Sequence, residues 1–364
     1  MKRILYVGRY NESENLTGPE KVAKRIFQES SKKTSSVFLE YFFDGKIYGP
    51  MKKFFGYEEI EKTGGSKIYR LGILRIPLFL IKQKPEVIHI ITFERFAVLC
   101  CYYKIVSKVK IIFNVHGVVC YENKEHRKVS GSQYKKDLSA EKKFFKYSDK
   151  LLFLSQMPLK IAKNLFDFDE RKLEFINNGI DEEFNSVSNK PKNESLSVVF
   201  IGDSERKDKD FEFLYNALGK IVTKCTLFII GNYDKQKYPE NSKYVNFKTL
   251  PRMDTSELVN FLSDKNIYIS SSSYDTFSIA AAECMCAGLA PIVTDTTGIS
   301  KLIVNGENGF VVTHGHTDEL AEKINLLLSD NELRKRISLN ASKIYSILSW
   351  GEIYKHYEKI YNSL

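Results

Sequence analysis

The chain has 364 residues, 43% of them apolar, which excludes a mainly disordered protein and allows two domains with separate cores. Its net charge of +10 is uneven: residues 1–190 hold 35 Lys and Arg against 23 Asp and Glu, whereas residues 191–364 hold 20 against 22. A basic first half suits a nucleic acid, an anionic lipid surface or a phosphorylated substrate, or is simply a lysine-rich solvated face.

The first apolar run, residues 4–7, ends at Gly8 and is too short for a signal peptide. The most lipid-like stretch, 71–81, is interrupted by Arg75 and Pro77 and is too short to span a bilayer. Both point to a cytoplasmic protein. Apolar, β-branched runs then alternate with helix-period segments. Strands are expected at 4–7, 37–41, 87–91, 111–115, 150–154 and 172–176, and a second series at 197–201, 226–230, 244–248, 267–270 and 290–293. Helices are expected at 20–30, 211–222 and 255–263, and Ser66 to Lys84 reads as a basic amphipathic helix. This alternation predicts an α/β chain of two Rossmann-like, doubly wound parallel sheets. The polar stretch 186–194 is the best linker. The expected domains are therefore 1–190 on the acceptor side and 191–345 on the donor side, with a C-terminal helix in 346–364 crossing back to the first domain. Ligands bind beyond the C-terminal strand ends of such sheets, so the expected site is a central cleft that the two domains face. The six cysteines lack Cys-x-x-Cys spacing and read as buried thiols.

Candidate site residues follow strand ends. After the first strand, Gly18 and Pro19 open a helix. They suit either a close phosphate approach or a plain helix start. His116, after 111–115, can hydrogen-bond a sugar hydroxyl or move a proton. After 197–201 comes Gly202-Asp203-Ser204-Glu205-Arg206-Lys207-Asp208-Lys209. Its cations and a helix start suit a diphosphate, although the three acids nearly cancel the charge. Arg252 follows the third strand of this series. After 267–270 the chain reads Asp275-Thr276-Phe277-Ser278-Ile279-Ala280-Ala281-Ala282-Glu283. Its small residues begin a helix whose N–H groups suit a phosphate, and Glu283 suits a ribose because one carboxylate accepts two adjacent hydroxyls. Asp275 suits sugar hydroxyls, or is a helix cap. Asp167-Phe168-Asp169 and Asp208-Lys209-Asp210 have the letters of a metal motif without its strand-end setting, so no metal site is assigned.

Residues 275–283 resemble the Glu-x7-Glu signature of the family 4 glycosyltransferases, which are retaining enzymes of the GT-B fold. Residues 286–293, 297–299 and 308–312 and Trp350 resemble the same family. Asp275 departs from the usual first Glu, which bears on sugar specificity. The resemblance implies Glu283 on the nucleotide ribose and Asp275 on the donor sugar. It also implies the backbone of Phe277, Ser278 and Ile279 on sugar and phosphate, Lys209 and Arg206 (with Lys207 a competitor) on the diphosphate, and His116 and Gly18 in the active site. It implies a UDP- or GDP-linked sugar as substrate with no cofactor, a saccharide or lipid-linked acceptor, and a role in capsule, O-antigen or lipopolysaccharide synthesis. The basic first half, through residues 46–55 and 66–84, is then expected against an anionic inner membrane surface rather than nucleic acid. A nucleotide-sugar epimerase and a non-enzymatic nucleic-acid-binding protein are the alternatives.

Overall fold

The computed structural model describes residues 2–10, 17–42, 49–127 and 129–364. The chain divides into two compact units, Met1–Asn177 with Trp350–Leu364, and Asn178–Ser349.

Among the described residues, the first unit has eight strands: β1 (Ile4–Val7), β2 (Val37–Tyr41), β3 (Tyr57–Glu61), β4 (Lys67–Leu71), β5 (Val87–Ile90), β6 (Lys110–Val115), β7 (Lys150–Phe153) and β8 (Leu173–Phe175). Their order is β3-β4-β2-β1-β5-β6-β7-β8, parallel except where β3 meets β4. Both faces of β5 are buried, as expected of a central strand covered by helices. Residues 66–84 are not one helix. Lys67–Leu71 pairs in register with β2 and only Ile76–Gln83 is helical. The β-forming pair Ile68-Tyr69 gains a sheet partner, and Gly72 follows the strand before the helix can start.

The Trp350–Ser363 helix lies in the first unit and is fastened there by buried polar contacts. His89, fully buried on β5, shares a hydrogen bond of 2.8 Å with the Tyr361 hydroxyl and one of 2.9 Å with Asn114 Oδ1. Asn114 in turn donates to Tyr357 Oη at 2.8 Å. Burial pushes His89 from its ordinary 6.5 down to about 4, against the Asn114 hydrogen bond. The unfolded chain binds this proton below about 6.5 and the folded chain only below about 4. The stability it contributes, on the order of 3 kcal/mol, is therefore complete above 6.5 and lost as pH falls toward 4. The stability gap between the native chain and His89→Gln, measured by urea unfolding, is expected to shrink across that window. A gap independent of pH would contradict the assignment.

The second unit has six parallel strands: β9 (Ser197–Ile201), β10 (Cys225–Ile230), β11 (Val245–Leu250), β12 (Ile267–Ser270), β13 (Ala290–Thr294) and β14 (Phe310–Val312). They are ordered β11-β10-β9-β12-β13-β14. The expected linker is part of this unit. Ile180 bridges Ser349, Phe184 is fully buried, and Lys192 Nζ donates to the carbonyls of Ala287 (2.7 Å) and Ser263 (3.1 Å). Polar composition marked the segment as exposed, but its backbone and one ammonium stem are held by the second sheet's helices. All six cysteines are buried and unbridged.

Candidate functional site

In the second sheet the chain runs from β9 outward to β10 and β11, then crosses to β12 and continues outward to β13 and β14. β9 and β12 are therefore the neighbours at which strand order reverses, the place where doubly wound sheets bind ligands. The loops after these two strands are stitched together. Ser271 Oγ donates to the Lys209 carbonyl (2.9 Å), Ser273 Oγ to the Lys207 carbonyl (3.1 Å), and Ser273 N–H to the Asp208 carbonyl (2.9 Å). From the end of β13 and the turn after it, Thr294 and Thr296 each donate a hydroxyl to the Ser272 carbonyl at 2.6 Å.

At this junction Lys209 Nζ lies 2.8 Å from Asp275 Oδ2, with both side chains mostly buried. Asp275 Oδ1 accepts the N–H groups of Ser278 (2.7 Å) and Phe277 (3.3 Å). Burial raises the Asp275 carboxyl, but the Lys209 ammonium and these two N–H groups outweigh it and hold the group below the usual carboxylate range. Asp275 thus fixes the two residues before the Ile279–Cys286 helix, whose N-cap is Ser278 and whose first turn receives no side-chain cap. It also takes up two of the N–H groups assigned from sequence to sugar and phosphate. Ser278 precedes the helix at φ 69°, a left-handed conformation rare for serine. Ile279 begins the helix, whose first N–H groups have no partner within it. Glu283 sits on the same helix with 6% exposure.

The cations of the first loop are distributed differently from the sequence reading. Lys209 does not start the following helix. Asp210, at φ 42°, caps the Phe211–Leu218 helix through Phe213 N–H (3.2 Å) and shares a 2.8 Å contact with His314 Nε2. Arg206 is engaged by Asp208, and Arg252 Nη2 by Asp203 Oδ2 at 2.7 Å. Gly202 lies against the Lys209 stem, where an added Cβ would be 3.2 Å from Cγ. The structure therefore brings Gly202, Lys209, Asp275, Phe277 and Ser278 together and leaves Arg206 and Arg252 with other carboxylates. Sequence reasoning missed His314 and the serine and threonine stitches, because neither has a local pattern. Among the described residues, no group of three or more His, Cys, Asp or Glu is placed to hold a metal ion.

The first sheet reverses order between β1 and β5, and its candidates follow β1 and β6. His116 follows β6. Burial pushes it down to about 4 despite a hydrogen bond with the Ile91 backbone, and its buried Nε2 has no hydrogen-bond partner among the described residues. The next turn is tight. A Cβ on Gly117 would fall 1.8 Å from Glu122 Oε1, and Glu141 receives the N–H groups of Val119 and Cys120 at 2.8 Å each. Gly18 is the first residue of the Gly18–Ser31 helix. There Thr17 N–H and its hydroxyl each donate to Glu20 Oε2 at 2.9 Å, the feature of a plain helix start. Near it is a cluster with no sequence signal. Arg9 approaches Glu20 (3.4 Å) and Glu94 (3.2 Å), and Glu40 accepts Arg70 Nε (2.8 Å). Burial pushes Glu40 and Glu94 up to about 7 each, with Arg70 and Arg9 respectively opposing it.

Residues 181–344 match the family model described as glycosyl transferases group 1, and residues 58–184 match that of glycosyltransferase family 4. Among curated proteins, the chain is 26% identical over 210 residues to the capsular polysaccharide biosynthesis glycosyltransferase CapM of Staphylococcus aureus. That alignment covers 56% of this chain and about half (53%) of the relative. It is 25% identical over 340 residues to an uncharacterized glycosyltransferase of Methanocaldococcus jannaschii, covering 84% and 87% of the two chains. Among solved structures, Anabaena HepE in complex with UDP superposes with a TM-score of 0.72 at 15% identity, covering 100% of both chains.

Proposed function

Because the chain belongs to the family 4 glycosyltransferases and has the GT-B fold, we propose that it moves a hexosyl unit from a UDP- or GDP-linked sugar to a saccharide or lipid-linked saccharide, with retention at the anomeric carbon and without a metal ion. The observation that carries this reading is the Lys209–Asp275 pair at 2.8 Å, set at the entrance of the helix that bears Glu283. As the sugar–phosphate bond breaks, negative charge grows on the departing diphosphate. A lysine ammonium and helix N–H groups stabilise that charge in place. Asp275 then holds hydroxyls of the transferred sugar and Glu283 those of the ribose. Arg206 serves the diphosphate by leaving Asp208, and Arg252 and Gly202 line the donor loop. In the first unit, the neutral His116 ring offers Nε2 to a sugar hydroxyl and Gly18 admits the substrate. The Staphylococcus relative's part in capsule synthesis supports a surface-polysaccharide product made in the cytoplasm at the inner membrane face. UDP in the Anabaena neighbour puts UDP-sugars first for testing.

A thermal-shift panel of nucleotide sugars tests the donor. At about 100 times its dissociation constant the right donor adds ~2.7 kcal/mol of stability. Glu283→Ala is expected to fold and to lose that shift together with transfer. An equal shift in the variant would reject the ribose role. Isomerised donor without acceptor would reject transfer in favour of an epimerase.

A further inference from the structure

Fifteen large hydrophobic side chains stand exposed among the described residues, and ten of them lie between Met51 and Val106 in the first unit. Seven belong to two segments that are joined backbone to backbone. Met51, Phe54, Phe55 and Tyr57 come from the Pro50–Phe55 helix and β3. Leu74, Leu78 and Ile81 come from the turn after β4 and the Ile76–Gln83 helix. Gly72 N–H donates to the Gly56 carbonyl (2.8 Å), Ile73 N–H to Lys53 (2.9 Å) and Leu74 N–H to Phe54 (3.2 Å). The approach is so close that a Cβ on Gly72 would fall 2.5 Å from the Phe54 carbonyl oxygen. Arg75 reaches back over the Tyr57 ring at 5.8 Å. The Ile76–Gln83 helix is apolar on two sides. Ile76, Phe79 and Leu80 face the core, while Leu78 (70% exposed) and Ile81 face outward. A helix apolar all round is normally buried, and here the outer side is left open.

The charge around this face decides what covers it. Residues 50–84 carry eight Lys or Arg against three Glu. All three acids are engaged by cations of the neighbouring strand, Glu59 and Glu61 with Lys67 (2.6 and 3.9 Å) and Glu58 with Arg70 (3.3 Å). Lys52, Lys53, Arg75, Lys82 and Lys84 flank the apolar side chains. A second copy of the chain would set these cations against their own kind, which costs free energy. A nucleic acid would leave Met51, Leu78 and Ile81 without an apolar contact. An anionic bilayer meets both demands, with acyl chains for the hydrophobic side chains and phosphates for the lysines. No helix among the described residues is long and apolar enough to cross a membrane, so the contact is one of lying on the surface.

We propose that the face formed by residues 50–57 and 72–84 docks the first unit onto a bilayer of anionic phospholipid, with Met51, Phe54, Leu74, Leu78 and Ile81 entering the headgroup layer. The inference rests on the peripheral location proposed above and names the surface responsible. Its test reads binding without any sugar transfer, so the two readings fail separately.

The test is flotation of the whole chain with vesicles of phosphatidylcholine alone and of phosphatidylcholine with an equal part of phosphatidylglycerol. The native chain is expected to float with the anionic vesicles at low salt, at least about tenfold better than with the neutral ones, and to be released by salt. Leu78→Glu with Ile81→Glu is expected to lose about tenfold of that binding while keeping its melting temperature. If that pair fails to fold, Lys82→Glu with Lys84→Glu, on exposed side chains, serves in its place with the same expected loss. No flotation of the native chain, or equal flotation of the folded variants, overturns the proposal. So does a concentration-dependent dimer that Leu78→Glu dissociates.

Discussion

Lys209→Ala is expected to slow sugar transfer by two to three orders of magnitude while the second unit stays folded. That loss corresponds to ~3–4 kcal/mol, the usual effect of removing one preorganised group that faces growing negative charge. The position is preorganised from several sides. The Lys209 carbonyl is held by Ser271 Oγ at 2.9 Å, its stem lies against Gly202, and its ammonium is fixed 2.8 Å from Asp275. Lys209→Met separates charge from packing, because it keeps most of the stem. Equal loss in Met and Ala variants assigns the effect to the ammonium. Asp275 retains its two backbone N–H donors in either variant, so the helix start survives and only the cation is missing. Transfer within a few-fold of native in Lys209→Ala would remove Lys209 from the site.

Gly298→Ala is expected to disable the same site from behind. Its Cβ would lie 2.0 Å from the Thr276 carbonyl oxygen, 2.7 Å from the Thr276 carbonyl carbon and 2.9 Å from Phe277 Cα, all backbone atoms that have no rotamer in which to retreat. The turn that carries Gly298 also holds the Asp275 loop in place. Gly298 N–H donates to the Asp275 carbonyl at 2.8 Å, and Asp275 N–H donates to Thr296 at 3.3 Å. Forcing the two strands of chain apart costs about 1–3 kcal/mol, as overpacking generally does. It also carries Asp275 away from Lys209 and from the helix start. The melting temperature is expected to fall by several degrees and transfer to fall as far as in Asp275→Ala. Gly351→Ala is the control. It lies near the start of the Trp350–Ser363 helix with nothing within 4 Å of its added Cβ, and is expected to be neutral or slightly stabilising. Native activity in Gly298→Ala would show that the Asp275 loop does not need its present position.

How much of this was legible beforehand varied by element. β9 and β12 occupy the residues expected from their apolar runs, because a strand buried on both faces is continuously apolar and needs no partner to be recognised. β3 and β4 were not legible. β3 reads Tyr-Glu-Glu-Ile-Glu, with no apolar run and no alternation, on a half-exposed edge, and β4 carries Lys67 and Arg70. Their strand character comes from pairing with each other and with β2. The helix at Ile279 could be read from its small residues. The role of Asp275 at its entrance stayed divided between cap and sugar ligand, because both use the same carboxylate. In the structure the carboxylate binds the turn before the helix and the Lys209 ammonium rather than a helix N–H group, and activity measurements on its partners decide the rest.

The sequence alone carried the class of the fold and the make-up of the loops after β9 and β12, since both rest on local properties: the period of apolar residues, the small side chains at a helix start, and a lysine among acids. Pairing was beyond it. Lys209 meets Asp275, Arg252 meets Asp203 and His89 meets Tyr361 only because β9 lies beside β12, the loop after β9 faces the one after β11, and the last helix packs on the first sheet. These partners are separated by 66, 49 and 272 residues. No period along the chain records such a separation. Sheet order and helix packing bring the partners together, and burial then makes each pairing matter.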